Sequence, residues 1–166
     1  GLFGMLFFVT YLGWGTSLLA GAMTLSIMIL PLIMRSTEEA LRAVPDSYRE
    51  GSFGLGAGRL RTVFKVILPP AMPGILAGII LAVGRIVGET AALLYTSGTM
   101  AKIPDLAHDH LVMGAGRTLA VHMYMLSGEG LHMKEANATA VVLLVVVLLI
   151  NMLSSFIAKK LTKEKA

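Results

Sequence analysis

Residues 50–69 read EGSFGLGAGRLRTVFKVILP and join three kinds of sequence in one short stretch. The stretch begins with an acidic residue, is rich in glycine in its middle, and ends in apolar residues followed by proline. Long apolar runs lie on both sides of it. Because polar segments connect the apolar helices of membrane proteins, the stretch is expected to belong to a connection between two spans.

The composition is typical of an integral membrane protein. Of the 166 residues, 55% are hydrophobic and only 14% are charged, and the mean hydropathy is +0.77. A soluble domain is usually about 25% charged. The sequence contains no cysteine, which excludes disulfides and thiolate metal sites. Since the chain starts in an apolar segment without a methionine, we expect it to be a fragment of a longer protein.

Three apolar runs predict full membrane spans, and a shorter run predicts part of a further helix. A spanning helix needs about 20 mostly apolar residues to cross a hydrocarbon core of about 30 Å. The full spans are expected at 16–34, 66–95 and 138–158, and the partial helix at 2–12. A break is expected at Gly13-Trp14-Gly15, with Trp14 as an interfacial anchor. The predicted fold is all-α, a polytopic transmembrane helical bundle with one membrane domain at 1–158.

The distribution of lysine and arginine predicts the orientation of these spans. The connection at 35–65 holds six such residues, the basic tail at 159–166 holds four, and the longer 97–135 connection holds three. Cytoplasmic segments of membrane proteins carry an excess of lysine and arginine. The first connection and the tail are therefore expected in the cytoplasm, and the 97–137 connection on the outside.

The opening stretch resembles the EAA loop of bacterial ABC importer permeases. In that family, Glu-Ala-Ala is followed after three residues by Gly, and after nine more by Ile-x-Leu-Pro. Here Glu50 takes the acidic position and Gly56 the glycine position, and Leu68-Pro69 closes the motif. The sequence departs from the pattern at Gly51-Ser52, which replaces Ala-Ala and forms helices less readily.

The resemblance implies a cytoplasmic coupling loop at 35–69 that contains a short helix. Gly56 is expected to end this helix in a left-handed conformation, and Leu68-Pro69 to begin the next helix. In the family, this short helix docks into the ATP-hydrolysing subunit. The residues expected at that contact are Glu50, Gly51, Ser52, Phe53, Leu55, Gly56 and Ala57.

Most of residues 16–98 resemble phosphate importer permeases of the PstA type. The resemblance lies in EEALRAVPDSYREGSFGLGAGRLRTVFKVILPPAMPGILAG, GRIVGETAALLYTSG and LLAGAMTLSIMILPLIMRSTEEALRAVP. It implies an inner-membrane permease of about six helices, of which this chain supplies the C-terminal part. The implied partners are an ATP-binding subunit dimer, a second permease subunit of the PstC type, a periplasmic phosphate-binding protein and membrane lipid. ATP and Mg would bind the ATPase, so this chain is expected to bind no cofactor and no nucleic acid.

Two charged residues interrupt the second span. Arg85 and Glu89 lie four residues apart, so on a continuous helix they would share one face. Ionisable residues inside a span usually face a partner or a water-filled cavity, and the planar guanidinium matches phosphate oxygens. Arg85 and Glu89 are therefore candidates for the anion pathway, with Thr90 and Thr96 as hydroxyl partners and Arg35 near the exit. A structural ion pair, and snorkelling of Arg35, are the alternatives.

Other functions remain open at this stage. The same permease could carry another oxyanion, such as sulfate or molybdate, or the chain could be a proton-coupled secondary carrier using Glu89. An intramembrane enzyme using Ser154 or a histidine is a further alternative, but no nucleophile is paired with a base. The sequence has no GxxxxGK[ST] motif, so nucleotide would bind elsewhere.

The outer connection carries all four histidines of the chain, at positions 108, 110, 122 and 132. Their spacing is that of an ordinary loop, and no metal site is expected. Residues 111–126 are apolar but contain Arg117 and His122, and they predict one or two helices lying at the outer interface. Arg117 is expected to face an anion or a lipid phosphate there.

Overall fold

The computed structural model describes residues 1–101, 112–128, 130 and 132–163. The described elements are helices, and no strand occurs among them. We number the helices α1 to α7 in chain order. Their bounds are α1 Leu2–Tyr11, α2 Leu18–Arg42, α3 Asp46–Gly54, α4 Arg59–Gly88, α5 Ala91–Thr96, α6 Leu119–Gly128 and α7 Met133–Lys163.

The three predicted membrane spans and the shorter apolar helix are confirmed. Helices α2, α4 and α7 are long and apolar enough to cross a membrane, whereas α1 is shorter. The bounds differ from the prediction because helices continue beyond the apolar runs. In α2, the helix extends past Met34 to Arg42, and Arg42 donates a 2.6 Å hydrogen bond to the Glu38 carboxylate one turn earlier.

Helix α4 begins earlier than the predicted start at Leu68-Pro69. It starts at Arg59, where the amide of Thr62 donates to the Gly58 carbonyl at 3.0 Å. Residues Thr62–Ile67 form a π-helical stretch directly before the prolines. Proline cannot donate to the preceding turn, and a wider turn is a common adjustment where the regular bonding is interrupted.

The predicted second span, 66–95, is interrupted near its end. Helix α4 stops at Gly88, and the separate short helix α5 begins at Ala91. Glycine is a poor helix former, and the Glu89 carboxylate accepts a hydrogen bond from the Ala92 amide at 3.2 Å. The local capping of α5 therefore replaces continuation of α4.

The contacts divide the chain into two compact units. The first comprises 1–29 and 85–149, and the second comprises 30–84 and 150–166. In the second unit, α4 packs closely on α2 through small residues spaced four apart. A side chain added at Gly78 would meet the Ser36 hydroxyl at 2.2 Å, and one added at Gly74 would meet Ala40 Cβ at 2.8 Å. This small-residue packing is typical of membrane helices.

In the first unit, the amino terminus of α2 is buried in protein. The amides of Ser17, Leu18 and Leu19 donate to carbonyls of Thr96, Gly114 and Val112 at 2.9–3.0 Å. The Ala20 amide donates to the Ser17 hydroxyl at 3.2 Å. The first four amides, which a helix leaves without internal partners, are thus all satisfied. This terminus has no free amide to offer an anion.

The link between α1 and α2 contains the break predicted from its glycines. Gly13 and Gly15 have φ of 67° and 63°, values that favour glycine. Trp14 stacks on Phe8 with ring centroids 5.4 Å apart. Its ring therefore packs on the chain's own α1, whereas the sequence predicted an interfacial anchor.

Candidate functional site: a coupling surface and an unpaired arginine

Helix α3 ends as the glycine at position 56 predicted. Gly56 has φ +78°, the left-handed conformation expected at a helix end. Its amide donates to the Phe53 carbonyl at 2.9 Å, and the Ala57 amide donates to the Ser52 carbonyl at 3.1 Å. These two bonds form a Schellman motif, which satisfies the last carbonyls of the helix. The turn also redirects the chain toward α4.

The amino-terminal half of α3 is attached to the end of α2. Arg49 forms an ion pair with Asp46 within α3 and donates a hydrogen bond to the Leu41 carbonyl at 3.0 Å. Because carbonyls at a helix end lack internal partners, this guanidinium satisfies an orphan group of α2. A cluster of apolar residues packs the end of α2 and the segment after it against α4. They are Leu41, Val44, Ile67, Ala71 and Ile75.

The carboxyl-terminal half of α3 is attached to the start of α4. The Ser52 and Thr62 hydroxyl oxygens lie 2.8 Å apart and are buried. Ser52 is only 8% exposed. Its side chain therefore faces the chain's own α4, although the motif had placed it among the residues expected to contact the ATPase.

Most of the remaining residues of α3 and of the turn that follows it are exposed. Phe53 is 48% exposed and Leu55 is 90% exposed, and both lie in a polar segment where apolar side chains are not covered by the protein itself. Glu50, Gly51 and Gly56 are exposed as well, and Ala57 is half-buried. A side chain added at Gly51 would meet no atom within 4 Å, so a partner can approach the helix backbone closely there.

Tyr48 is exposed as well, at 50%. The motif spacing did not point to it, nor to Arg49 and Thr62, which hold the helix in place. The signal for Tyr48 was an aromatic residue in a charged connection. We define the coupling surface as Tyr48, Glu50, Gly51, Phe53 and Leu55.

Arg85 lies in the last turn of the spanning helix α4 and is exposed. Within the described part of the chain, its guanidinium makes no hydrogen bond and no ion pair. A charged group in a span is costly unless it meets a partner or a water-filled cavity. Arg85 is thus a cation that is available to a ligand or to another subunit.

The structure does not bring Arg85 and Glu89 together as an ion pair. Glu89 lies beyond the end of α4, and its carboxylate caps α5 through the Ala92 amide. The prediction that the two share a helix face required a continuous helix, and Gly88 ends it. Thr90 is half-buried, and its hydroxyl lies 3.4 Å from the Gly88 carbonyl.

The remaining candidate residues are Thr96, Arg35 and Arg117, and no hydrogen bond or ion pair of the described residues joins any two of them. Thr96 is fully buried, and its hydroxyl donates to the Ala92 carbonyl at 2.8 Å, so it does not face a pathway. Arg35 is exposed and makes no ion pair with any described residue. Arg117 donates a long 3.5 Å hydrogen bond to the Thr99 carbonyl, and its Nε is buried without a partner.

Part of the 97–137 connection lies outside the described residues, including His108, His110 and Leu111. The described part contains α6, consistent with the helix predicted in this segment. Among the described residues, no group of three histidine, aspartate or glutamate side chains is placed to hold a metal ion.

Comparisons with known proteins give the family. The sequence-family model for the binding-protein-dependent transport system inner membrane component matches residues 2–165 of this chain. A probable ABC transporter permease protein, YqgI of Bacillus subtilis, is 39% identical over 98% of this chain and 60% of its own length. The phosphate transport system permease protein PstA 1 of Mycobacterium tuberculosis is 33% identical over 99% of this chain and 53% of its own.

A third relative has higher identity over a shorter part of the chain. PstA 2 of Mycobacterium bovis is 47% identical over 59% of this chain and 33% of its own length. No solved structure shows significant similarity. The chain spans between about half and three fifths of the length of the first two relatives. Its helices, its motif at 50–69 and the match over nearly its whole length agree: the chain belongs to the family of binding-protein-dependent transport system inner membrane components.

Proposed function

We propose that this chain is part of the permease subunit of an ATP-driven importer of inorganic phosphate. The observation that carries the proposal is the similarity of nearly the whole chain to relatives named phosphate transport system permease proteins. An exposed arginine in a spanning helix suits an anionic cargo. The chain itself would perform no covalent chemistry.

Arg85 is the proposed anion contact in the pathway. Its guanidinium is permanently charged, offers several donors in one plane, and has no partner among the described residues. Glu89 has a different role in this proposal, since its carboxylate holds the start of α5 and thereby shapes the chain next to Arg85. Thr90 lies at the same bend, and Arg35 is a second exposed cation proposed for the exit side.

The coupling surface on α3 is the proposed contact with the ATPase dimer. Its apolar residues are exposed, and its glycine allows close approach of a partner backbone. ATP and Mg would bind that dimer, and this chain would bind no cofactor. A PstC-type permease subunit and a periplasmic phosphate-binding protein complete the proposed assembly. By its lysine and arginine distribution, the chain would have α3 and its C-terminus in the cytoplasm.

The test is phosphate uptake by vesicles that contain the complete transporter with and without its ATPase subunit. Wild type is compared with Arg85→Ala and with Arg42→Ala, whose guanidinium is exposed and pairs only with Glu38. The proposal predicts ATP-dependent uptake that Arg85→Ala abolishes and Arg42→Ala retains. Uptake of sulfate or molybdate in place of phosphate would contradict the substrate. Uptake driven by a proton gradient without the ATPase would contradict the class of transporter.

A further inference from the structure

Ser52 and Thr62 connect α3 to α4 through a buried polar contact, which we call the hydroxyl clamp. The two hydroxyl oxygens lie 2.8 Å apart, and Thr62 is only 1% exposed. The Thr62 hydroxyl also donates to the Gly58 carbonyl at 3.2 Å. A hydroxyl has a single proton to donate, so Ser52 must donate to Thr62 in this arrangement. The result is a chain of hydrogen bonds from α3 to the first residue before α4.

The hydroxyl clamp spans the glycine-rich part of the connection. Residues 54–58 contain three glycines, and side chains added at any of them would meet no atom within 4 Å. At its glycines, this link has no side-chain packing, and the Schellman hydrogen bonds hold its first turn. The contact between Ser52 and Thr62 bypasses the link and joins the helices directly.

The contact between Ser52 and Thr62 is costly to break because both side chains are buried. A buried hydroxyl that loses its partner retains the full cost of its desolvation. Separation of the two side chains would leave the buried Ser52 hydroxyl without its acceptor or expose it to water, whereas Thr62 would keep its bond to the Gly58 carbonyl. At the other half of α3, Arg49 makes the corresponding attachment to α2.

We propose that Ser52 and Thr62 are positioning residues that make α3 and the amino-terminal end of α4 move as one body during transport. This inference rests on the proposed function, because it assumes that an ATPase moves α3. Movement of the coupling surface would then pass into the spanning helix α4 through the hydroxyl clamp. The glycine-rich link would carry little of it.

The first test removes the hydroxyls and measures phosphate uptake per ATP hydrolysed in the complete transporter. Thr62→Val keeps the shape of the side chain but loses the hydroxyl, and Thr62→Ser keeps the hydroxyl. We expect the uptake per ATP to fall at least about threefold in Thr62→Val and in Ser52→Ala, the size expected for one buried hydrogen bond. Thr62→Ser should stay near wild type. A change that affected folding alone would lower the amount of transporter without changing this ratio.

The second test holds the two helices together covalently. The chain has no cysteine, so Ser52→Cys and Thr62→Cys introduce a defined pair. Their side chains already meet, as a disulfide requires. The oxidised double variant should retain ATP-driven uptake, whereas each single variant, which breaks the hydroxyl clamp, should show the reduced ratio.

Two results would overturn the inference. One is a normal ratio of uptake to ATP hydrolysis in both Ser52→Ala and Thr62→Val. The other is loss of uptake on oxidation of the double cysteine variant with recovery on reduction, because it would mean that α3 and α4 must separate. A wild-type transporter without ATP-dependent phosphate uptake would instead refute the proposed function, so the two failures are distinguishable.

Discussion

The polar side chains near the two ends of helix α4 differ in burial and in whether they are paired. At the amino-terminal end, Ser52 and Thr62 are paired and buried, so the polar side chains serve to hold a surface that is itself largely apolar. Beyond the other end, Glu89 is used as a cap while Arg85 is left exposed without a partner. Paired polar groups hold the chain's own elements together, whereas a charge in a span without a partner among the described residues is a candidate contact for a ligand or another subunit.

The largest expected effect concerns Arg85, near the carboxyl-terminal end of α4. Arg85→Ala should lower phosphate uptake by about 100-fold or more, since the bound anion loses its proposed charge partner. Arg85→Lys keeps the charge but loses the planar donors, so an intermediate loss is expected. Initial rates of radiolabelled phosphate uptake at matched transporter levels measure both. Wild-type rates of phosphate uptake in Arg85→Ala would contradict the proposed role of Arg85, and with it the functional difference between the two ends of α4.

The next effect concerns the packing that supports α4 between its ends. In Gly78→Ala, the new methyl group would meet the Ser36 hydroxyl at 2.2 Å, so α2 and α4 must move apart. We expect the free energy of unfolding to fall by about 1–3 kcal/mol. Thermal denaturation of the transporter in detergent measures it. Gly128→Ala, where no atom lies within 4 Å, is the matched control, and equal effects of the two would contradict the packing account.

A smaller effect is expected on the coupling surface. Leu55 is 90% exposed in the described structure, so Leu55→Ala should leave the stability of the permease unchanged. Its affinity for the ATPase subunit should fall about fivefold, as for an apolar contact residue of an interface. Titration of the ATPase onto detergent-solubilised permease gives the dissociation constant. Leu81→Ala, an equally apolar change at a residue that is 64% exposed in the spanning helix α4, should have no such effect.

The smallest effect distinguishes two glycines of the link. Gly56→Ala should cost about 1 kcal/mol, because φ of +78° is unfavourable for any residue with a side chain. Gly54→Ala lies in the last helical position of α3 with open space around it and should be neutral or slightly stabilising. Thermal denaturation of the two variants should therefore shift in different directions. Equal destabilisation would show that the left-handed turn is not what the glycine provides.

Much of the fold could be predicted from the sequence because hydropathy acts locally. The apolar runs gave the three spans, and the glycine at position 56 gave the end of α3. The ends of the spans were less predictable. Arg35 to Arg42 stay helical because a polar segment can continue a helix when its side chains, such as Glu38 and Arg42, pair along it.

The candidate site was predicted less completely because its geometry depends on contacts between distant residues. The motif spacing located α3 but could not show that Ser52 faces inward, since its partner Thr62 lies ten positions later. In the same way, the spacing of Arg85 and Glu89 indicated a shared face. The two side chains are not paired with each other, because the Glu89 carboxylate accepts a hydrogen bond from the Ala92 amide beyond the end of α4 at Gly88.

The most direct test of the coupling surface is site-directed crosslinking to the ATPase subunit. Single cysteines are placed at Leu55, which is 90% exposed at the end of α3, and at Ser52, which is 8% exposed, in a complete transporter freed of other cysteines. A short crosslinker should join the Leu55→Cys variant to the ATPase, and the Ser52→Cys variant should remain largely unlinked. Efficient crosslinking from position 52 with none from position 55 would contradict the assigned orientation of α3 and with it the coupling surface.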